Sequence, residues 1–235
     1  MRRALWVFLA LTSAAYGGPI LTRPDLMAAL GGSGTLEDFE AFPVSPGISV
    51  GLDCSTLNSS SSCNGHSGLV VPGVDFTFGS GGGQWDGVGY LGAPSEEILS
   101  GSPGGQPLVI TFTNPVNAFG LDLRAFTEFP ASATLTIYGL DNTTVIGMIS
   151  DVNLSSDGSP VFEGWQDAAG IGQVSLTQTG QYWSPIIDNV EFGLAQTPEP
   201  SSAALLGLGL GVFTLGRHLL RRRSRTSRTP AQLLS

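Results

Sequence analysis

Between residues 36 and 192 the chain alternates short apolar and polar stretches with clusters of turn residues, a period-two pattern that predicts strands. In the stretch 36–42, Leu36, Asp38, Glu40 and Phe42 fall on one face and Glu37, Phe39 and Ala41 on the other. Further strands are predicted over 68–71, 74–78, 87–91, 108–113, 118–124, 133–138, 145–150, 170–177 and 186–192. Asn114-Pro115, Phe129-Pro130, Asp141-Asn142 and Asp157-Gly158 mark turns between them. About ten short strands at this spacing predict an all-β domain, an antiparallel β-sandwich of jelly-roll type. One short N-terminal helix precedes it over 22–30. Thr22 is placed to cap it, Pro24 suits its first turn, and Gly31-Gly32 end it.

The two ends break this pattern. Arg2-Arg3, the apolar run 4–11 and the small residues up to Gly17 form a secretory signal peptide, with cleavage expected after Ala15 or Gly17. The run is too short for an ordinary membrane anchor. At the other end, Thr197-Pro198-Glu199-Pro200 precedes an apolar run over 203–220, interrupted only by Arg217 and His218, and then Arg221, Arg222 and Arg223. The prolines disfavour helix and sheet ahead of the run. The run predicts a transmembrane helix slightly short of the roughly 20 residues a bilayer needs, with the arginines on its cytoplasmic side.

Charge divides the chain in the same way. The net charge is −9, but residues 18–197 carry only Arg23 and Arg124 against eighteen Asp and Glu, which is −16. The basic residues therefore belong mainly to the membrane-facing ends. Nothing in the acidic middle could neutralise phosphates, which excludes a nucleic-acid partner. The chain has no Lys, so lysine chemistry is excluded too. Cys54 and Cys63 bracket a polar loop and predict a disulfide suited to an exported domain, worth about 2–3 kcal/mol at most for so small a loop.

Tripeptide, glycine-rich span and arginine cluster occur in an order that resembles the PEP-CTERM sorting signal of Gram-negative, exopolysaccharide-producing bacteria. The resemblance covers the segment 197–223 and implies recognition by an exosortase, an integral-membrane cysteine enzyme that cuts near Pro198-Glu199-Pro200. It further implies transient anchoring in the inner membrane, then delivery to the outer surface or extracellular matrix. The tail 224–235 departs from such signals, which usually end soon after the arginines. The expected organisation is thus signal peptide (1–17), short helix and linker (18–35), β-sandwich (36–196), sorting signal (197–223) and cytoplasmic tail (224–235).

Three motifs resemble galactose-binding-like and carbohydrate-binding-module sandwiches: Asp38-Phe39-Glu40, the paired segment 110–123, and the closing segment 187–192 with Asp188-Asn189. In that family such carboxylates often hold a structural calcium. Calcium needs six to eight oxygens and suits acids that lack basic neighbours, so Glu40 and Asp188 are its candidate ligands, with Asp38 next; solvated edge acids are the competing expectation. No cofactor is otherwise required. The stretch from Asp151 fails as a helix-loop-helix calcium loop, with Ser156 at the glycine position and Phe162 at the bidentate-glutamate position.

Catalytic constellations are lacking: there is no phosphate-binding loop, no dinucleotide fingerprint and no H-E-x-x-H. His66 lies beside a near-miss of G-x-S-x-G, with Leu69 at the last glycine position, and is expected as a loop residue. Trp85 with Asp86, and Tyr182 with Trp183, lie in glycine- or glutamine-flanked stretches expected to be loops. An indole exposed there would offer its face to a sugar ring, against the alternative of packing inside. The resulting expectation is a non-catalytic surface or matrix protein that binds polysaccharide or contributes to a biofilm or exopolysaccharide matrix. A polysaccharide-active hydrolase on the same sandwich and an adhesin with protein partners are the alternatives.

Overall fold

The computed structural model describes residues 17–100, 106–125, 131–179 and 185–194. Over these residues the fold is antiparallel β with one short helix, as the alternating pattern predicts. The elements in chain order are β1 (Gly18–Ile20), α1 (Arg23–Ala29), β2 (Thr35–Glu37), β3 (Ser49–Leu52), β4 (Thr56–Leu57), β5 (Ser62–Cys63), β6 (His66–Ser67) and β7 (Val74–Thr77). They continue with β8 (Gly83–Asp86), β9 (Glu97–Ser100), β10 (Leu108–Arg124), β11 (Ala131–Tyr138), β12 (Val145–Leu154), β13 (Val161–Thr179) and β14 (Ile186–Gly193).

Two long strands organise the architecture. β10 and β13 run antiparallel along most of their length, with irregular register between Thr111 and Ala118. On one side of this break β10 pairs with β7 and β13 pairs with β11, which carries β12. On the other side β10 pairs with β14 and β13 pairs with β1. The sheet continues from β14 through β9 and β8 to β3, and β2 also pairs with β14. Segments 108–113 and 118–124 are therefore one bulged strand, not two strands around a turn at Asn114-Pro115. Pro115 is accommodated in the irregular stretch, where the ladder does not need its missing N–H.

Other expectations are corrected by local chemistry. The strand expected over 36–42 stops at Glu37, because the Glu37 carboxylate accepts from the backbone N–H of Phe39 at 2.7 Å and of Val71 at 2.6 Å. Phe39 takes a left-handed φ of 56°, which turns its ring inward against Phe76 and Trp85. Residues 68–71 form no strand, yet Leu69 and Val70 enter the core. Residues 87–91 form none either; a short 3-10 turn spans Tyr90–Gly92, and the strand lies just before, as β8.

One main core gathers Phe39, Phe76, Trp85, Ile98, Phe119 and Leu135 with their neighbours. A smaller cluster of Ile20, Leu26, Leu30 and Ala118 fastens α1 to the sheet. Gly120 permits that approach, since a Cβ there would stand 2.5 Å from the Phe162 ring and 2.8 Å from Leu26. α1 itself begins as expected, with Thr22 Oγ1 accepting from Asp25 N at 3.3 Å, and ends at Gly31 and Gly32 with φ of 62° and 73°. The Cys54–Cys63 disulfide is formed, with Cα atoms 5.3 Å apart and Cys63 buried.

Among the described residues no helix is long and apolar enough to cross a membrane. The apolar segment of the expected signal peptide, the sorting residues Pro198, Glu199, Pro200, Arg221, Arg222 and Arg223, and the span before the arginines lie outside the described residues.

Candidate functional site

The candidate site forms where β9, β10 and β14 lie side by side. Asp122 on β10 pairs in register with Asp188 on β14, and Arg124 with Ile186. The next register pair is Gly120 with Glu191, so β14 carries one extra residue between the two pairs. Asn189 absorbs the bulge with φ of 49°, a conformation asparagine tolerates better than most residues. The bulge lets the consecutive residues Asp188 and Asn189 both border one cleft. Its other walls are Pro94, Ser95, Glu97, Asp122, Leu123, Arg124, Pro160 and Ile186, and its volume is about 180 Å³.

The electrostatics are built around two arginines and their three ion pairs. Arg124 reaches Glu97 with two donors, Nε and Nη2, one to each carboxylate oxygen, and both side chains are almost wholly buried. The third nitrogen, Nη1, has no hydrogen-bond partner, nor does Oδ2 of buried Asp86, whose charge Arg124 senses. Arg23 reaches over from α1 to Asp122 at 2.9 Å and Glu191 at 3.4 Å, and donates to the Asn189 carbonyl at 3.2 Å. These are the two arginines of the segment 18–197, where no lysine occurs. A strongly acidic domain has therefore gathered its two permanent side-chain cations at one place.

Of the three acids that border the cleft, Glu97, Asp122 and Asp188, the last alone forms no ion pair among the described residues. Its Oδ1 accepts from Asn189 N at 2.6 Å, and Oδ2 accepts from the Ser95 hydroxyl. Burial pushes its pKa up to about 6, with the charges of Asp122 and Glu40 adding to the rise and the Ser95 and Asn189 hydrogen bonds opposing it. A carboxyl titrating higher in the folded than in the unfolded chain favours folding at acid pH. That contribution is complete below the unfolded value near 3.9 and is lost as pH rises through 6, a change of up to about 3 kcal/mol. The acids Glu37, Asp86 and Glu96 are also shifted upward, chiefly by burial. Urea melts should therefore show lower stability at pH 7.5 than at pH 5. Asp188→Asn should flatten much of that slope; an unchanged slope would remove Asp188 as its main source.

Glu40 and Asp188, expected from sequence as calcium ligands, are brought to adjacent residues. Glu40 Oε1 accepts from Glu96 N at 3.0 Å, next to the Ser95 that holds Asp188. Asp38 is exposed, and its carboxylate accepts from Glu40 N at 3.3 Å. Two carboxylates and a hydroxyl supply fewer oxygens than the six to eight calcium prefers. Among the described residues no group of three or more His, Cys, Asp and Glu side chains is arranged to hold a metal.

The aromatic candidates are placed differently from expectation. Trp85 and Asp86 lie on β8 rather than in a loop, and both are fully buried. The Trp85 ring packs against Phe39 and Phe42, and its Nε1 donates to Glu96 at 3.0 Å. Asp86 accepts from Ser49 Oγ at 2.5 Å and Gln84 Nε2 at 2.9 Å. Neither side chain presents a surface to a ligand. The glycine run that suggests a loop instead supplies Gly83, where a Cβ would stand 2.5 Å from the Phe78 ring. Tyr182 and Trp183 lie outside the described residues. Trp165 is buried, and His66 is exposed beside the disulfide hairpin, near the Phe42 ring. The cleft residues Ser95, Glu97, Asp122 and Arg124 carry no motif; the one sequence signal was the scarcity of arginine.

No protein-family model matches the chain, and no curated protein matches it.

Proposed function

We propose that the chain is an exported, exosortase-sorted protein of the cell surface or extracellular matrix whose jelly-roll-like sandwich binds polysaccharide without turning it over. The order of tripeptide, apolar span and arginine cluster at 197–223 supports the sorting route, with signal peptidase and exosortase as processing partners. The observation that carries the binding half is the cleft at Asp188, bordered by both polar and apolar residues, beside which both arginines of the domain converge. Pockets of this mixed character are the default sites for small polar ligands. Retention of the exported protein on immobilised polysaccharides is the test. Retention by at least one polymer is expected; no retention by any would overturn the binding half. Mass spectrometry of the mature C-terminus tests the route, and a secreted chain intact through Ser235 would sink exosortase processing.

A hydrolase is the second reading, favoured by one observation. A carboxyl held near pH 6 and bordering a cleft with other acids has the character of a general acid. Turnover of a glycan that Asp188→Asn abolishes would promote this reading over binding alone. A structural calcium at Glu40 and Asp188 is a separate proposal. Chelator should then lower the melting temperature, and an unchanged value would discard it.

A further inference from the structure

We infer that the cleft takes one neutral sugar ring, held by hydroxyls bonded to Asp188, and that it excludes uronic and sulfated sugars. The inference rests on the polysaccharide reading above and narrows it to a ligand class.

Size sets the first limit. The cleft volume is about 180 Å³, and sites for drug-sized ligands run to about 300–1,000 Å³. One pyranose ring fits this space, and a chain of several does not. The cleft therefore suits a terminal or single exposed residue of a polymer.

Charge sets the second. Both arginines are already committed, Arg124 to Glu97 and Arg23 to Asp122 and Glu191. Arg124 Nη1, still without a hydrogen-bond partner, is shut away from water, and its guanidinium already senses the charges of Asp86 and Asp188. The cleft acid left without an ion pair is Asp188, with Glu40 close enough to affect it. A carboxylate or sulfate on the ligand would meet this field with no free cation to receive it. A neutral hydroxyl meets no such repulsion. It donates to an Asp188 oxygen, and hydrogen bonds to an ionised acceptor are the stronger kind.

The apolar wall supplies the third. Four apolar residues border the same space; Leu123 and Ile186 are buried, and Pro94 and Pro160 are exposed. A pyranose carries C–H groups across its ring and hydroxyls at its edge. Such a ring lays the first on the exposed Pro94 and Pro160 rings while it turns the second to Asp188. A small inorganic ion or a free amine uses only the polar wall.

The test is calorimetric titration of the exported protein at pH 7.5. Methyl glycosides of glucose, galactose and mannose are compared with glucuronate and galacturonate. At least one neutral glycoside should bind, with the matching uronate at least tenfold weaker. Added salt should narrow that gap, since it screens the repulsion. Asp188→Ala should weaken the neutral sugar at least tenfold, and Asp188→Asn should reduce the penalty on the uronate. Circular dichroism establishes that each variant is folded, and the isosteric Asn variant keeps the test open if the Ala variant is not. Uronate binding as tight as the neutral sugar would overturn the inference. So would binding to neutral sugar that both Asp188 variants leave unchanged, or polysaccharide retention without binding of any single ring. In each of these cases the polysaccharide reading survives; it falls only if no polymer retains the protein.

Discussion

Arg124→Met should destabilise the folded protein by about 3–5 kcal/mol, because it leaves the Glu97 carboxylate buried and uncompensated. Both partners are nearly inaccessible to water, so solvent cannot replace the lost guanidinium. The loss spreads further, since Arg124 also holds down the pKa of Asp86 on β8. With the arginine gone, Glu97 and Asp86 are both driven toward their protonated forms. The destabilisation should accordingly be largest near neutral pH and smaller near pH 5. Urea melts of wild type and variant at both values measure this. Adding Glu97→Gln should restore part of the stability, because the buried charge disappears with its partner. Equal losses in the single and double variants would show that packing of the arginine stem, not its charge, matters. Residues this close are not independent, so the two changes should depart clearly from additivity.

Trp85→Ala carries a comparable expectation, a loss of about 3–5 kcal/mol. The indole is wholly buried between Phe39 and Phe42, and removing it opens a cavity in the main core. It also deprives Glu96 of its hydrogen bond from Nε1, in a carboxylate that burial already disfavours. Trp85→Phe should fall between, since it keeps most of the ring contact but not the donor. Sugar binding by a Trp85→Phe protein that remains folded should be unchanged, because no part of the indole reaches the surface. A stable, well-folded Trp85→Ala protein with impaired sugar binding would return the tryptophan to the surface role its glycine-rich neighbourhood suggests.

The contrast at Trp85 shows where local pattern stops being informative. Three glycines before an aromatic suggest a flexible loop, because glycine lowers strand propensity. In the fold, Gly83 is present because the Phe78 ring fills the place of its Cβ, so the glycine packs within a strand. The opposite error occurs at 36–42, where good alternation is cut short by a side-chain carboxylate that captures two backbone N–H groups. Either outcome depends on a residue distant in sequence, Val71 in one case and the β3 and β9 neighbours of β8 in the other. The long strands β10 and β13 were each visible only in part. A bulge interrupts the period-two pattern in β10 without ending the strand.

The candidate site follows the same division. Asp188 and Glu40 stood out in sequence as acids without nearby bases, and they do meet beside Ser95 and Glu96. Arg124, Glu97 and Asp122 did not stand out, since each is an ordinary charged residue in its own segment.

Local sequence by itself determined the class of fold, the capped helix α1 and the disulfide. These follow from side-chain period, capping chemistry and loop closure, all set within a few residues. Local sequence also determined the imbalance of charge that makes the two arginines scarce. Only the tertiary structure decided what that scarcity means. Asp122, Arg124 and Asp188 face one cleft because of strand register, and one inserted residue at Asn189 re-aims two side chains at once. Register is the sum of packing over the whole sheet, and no single segment encodes it.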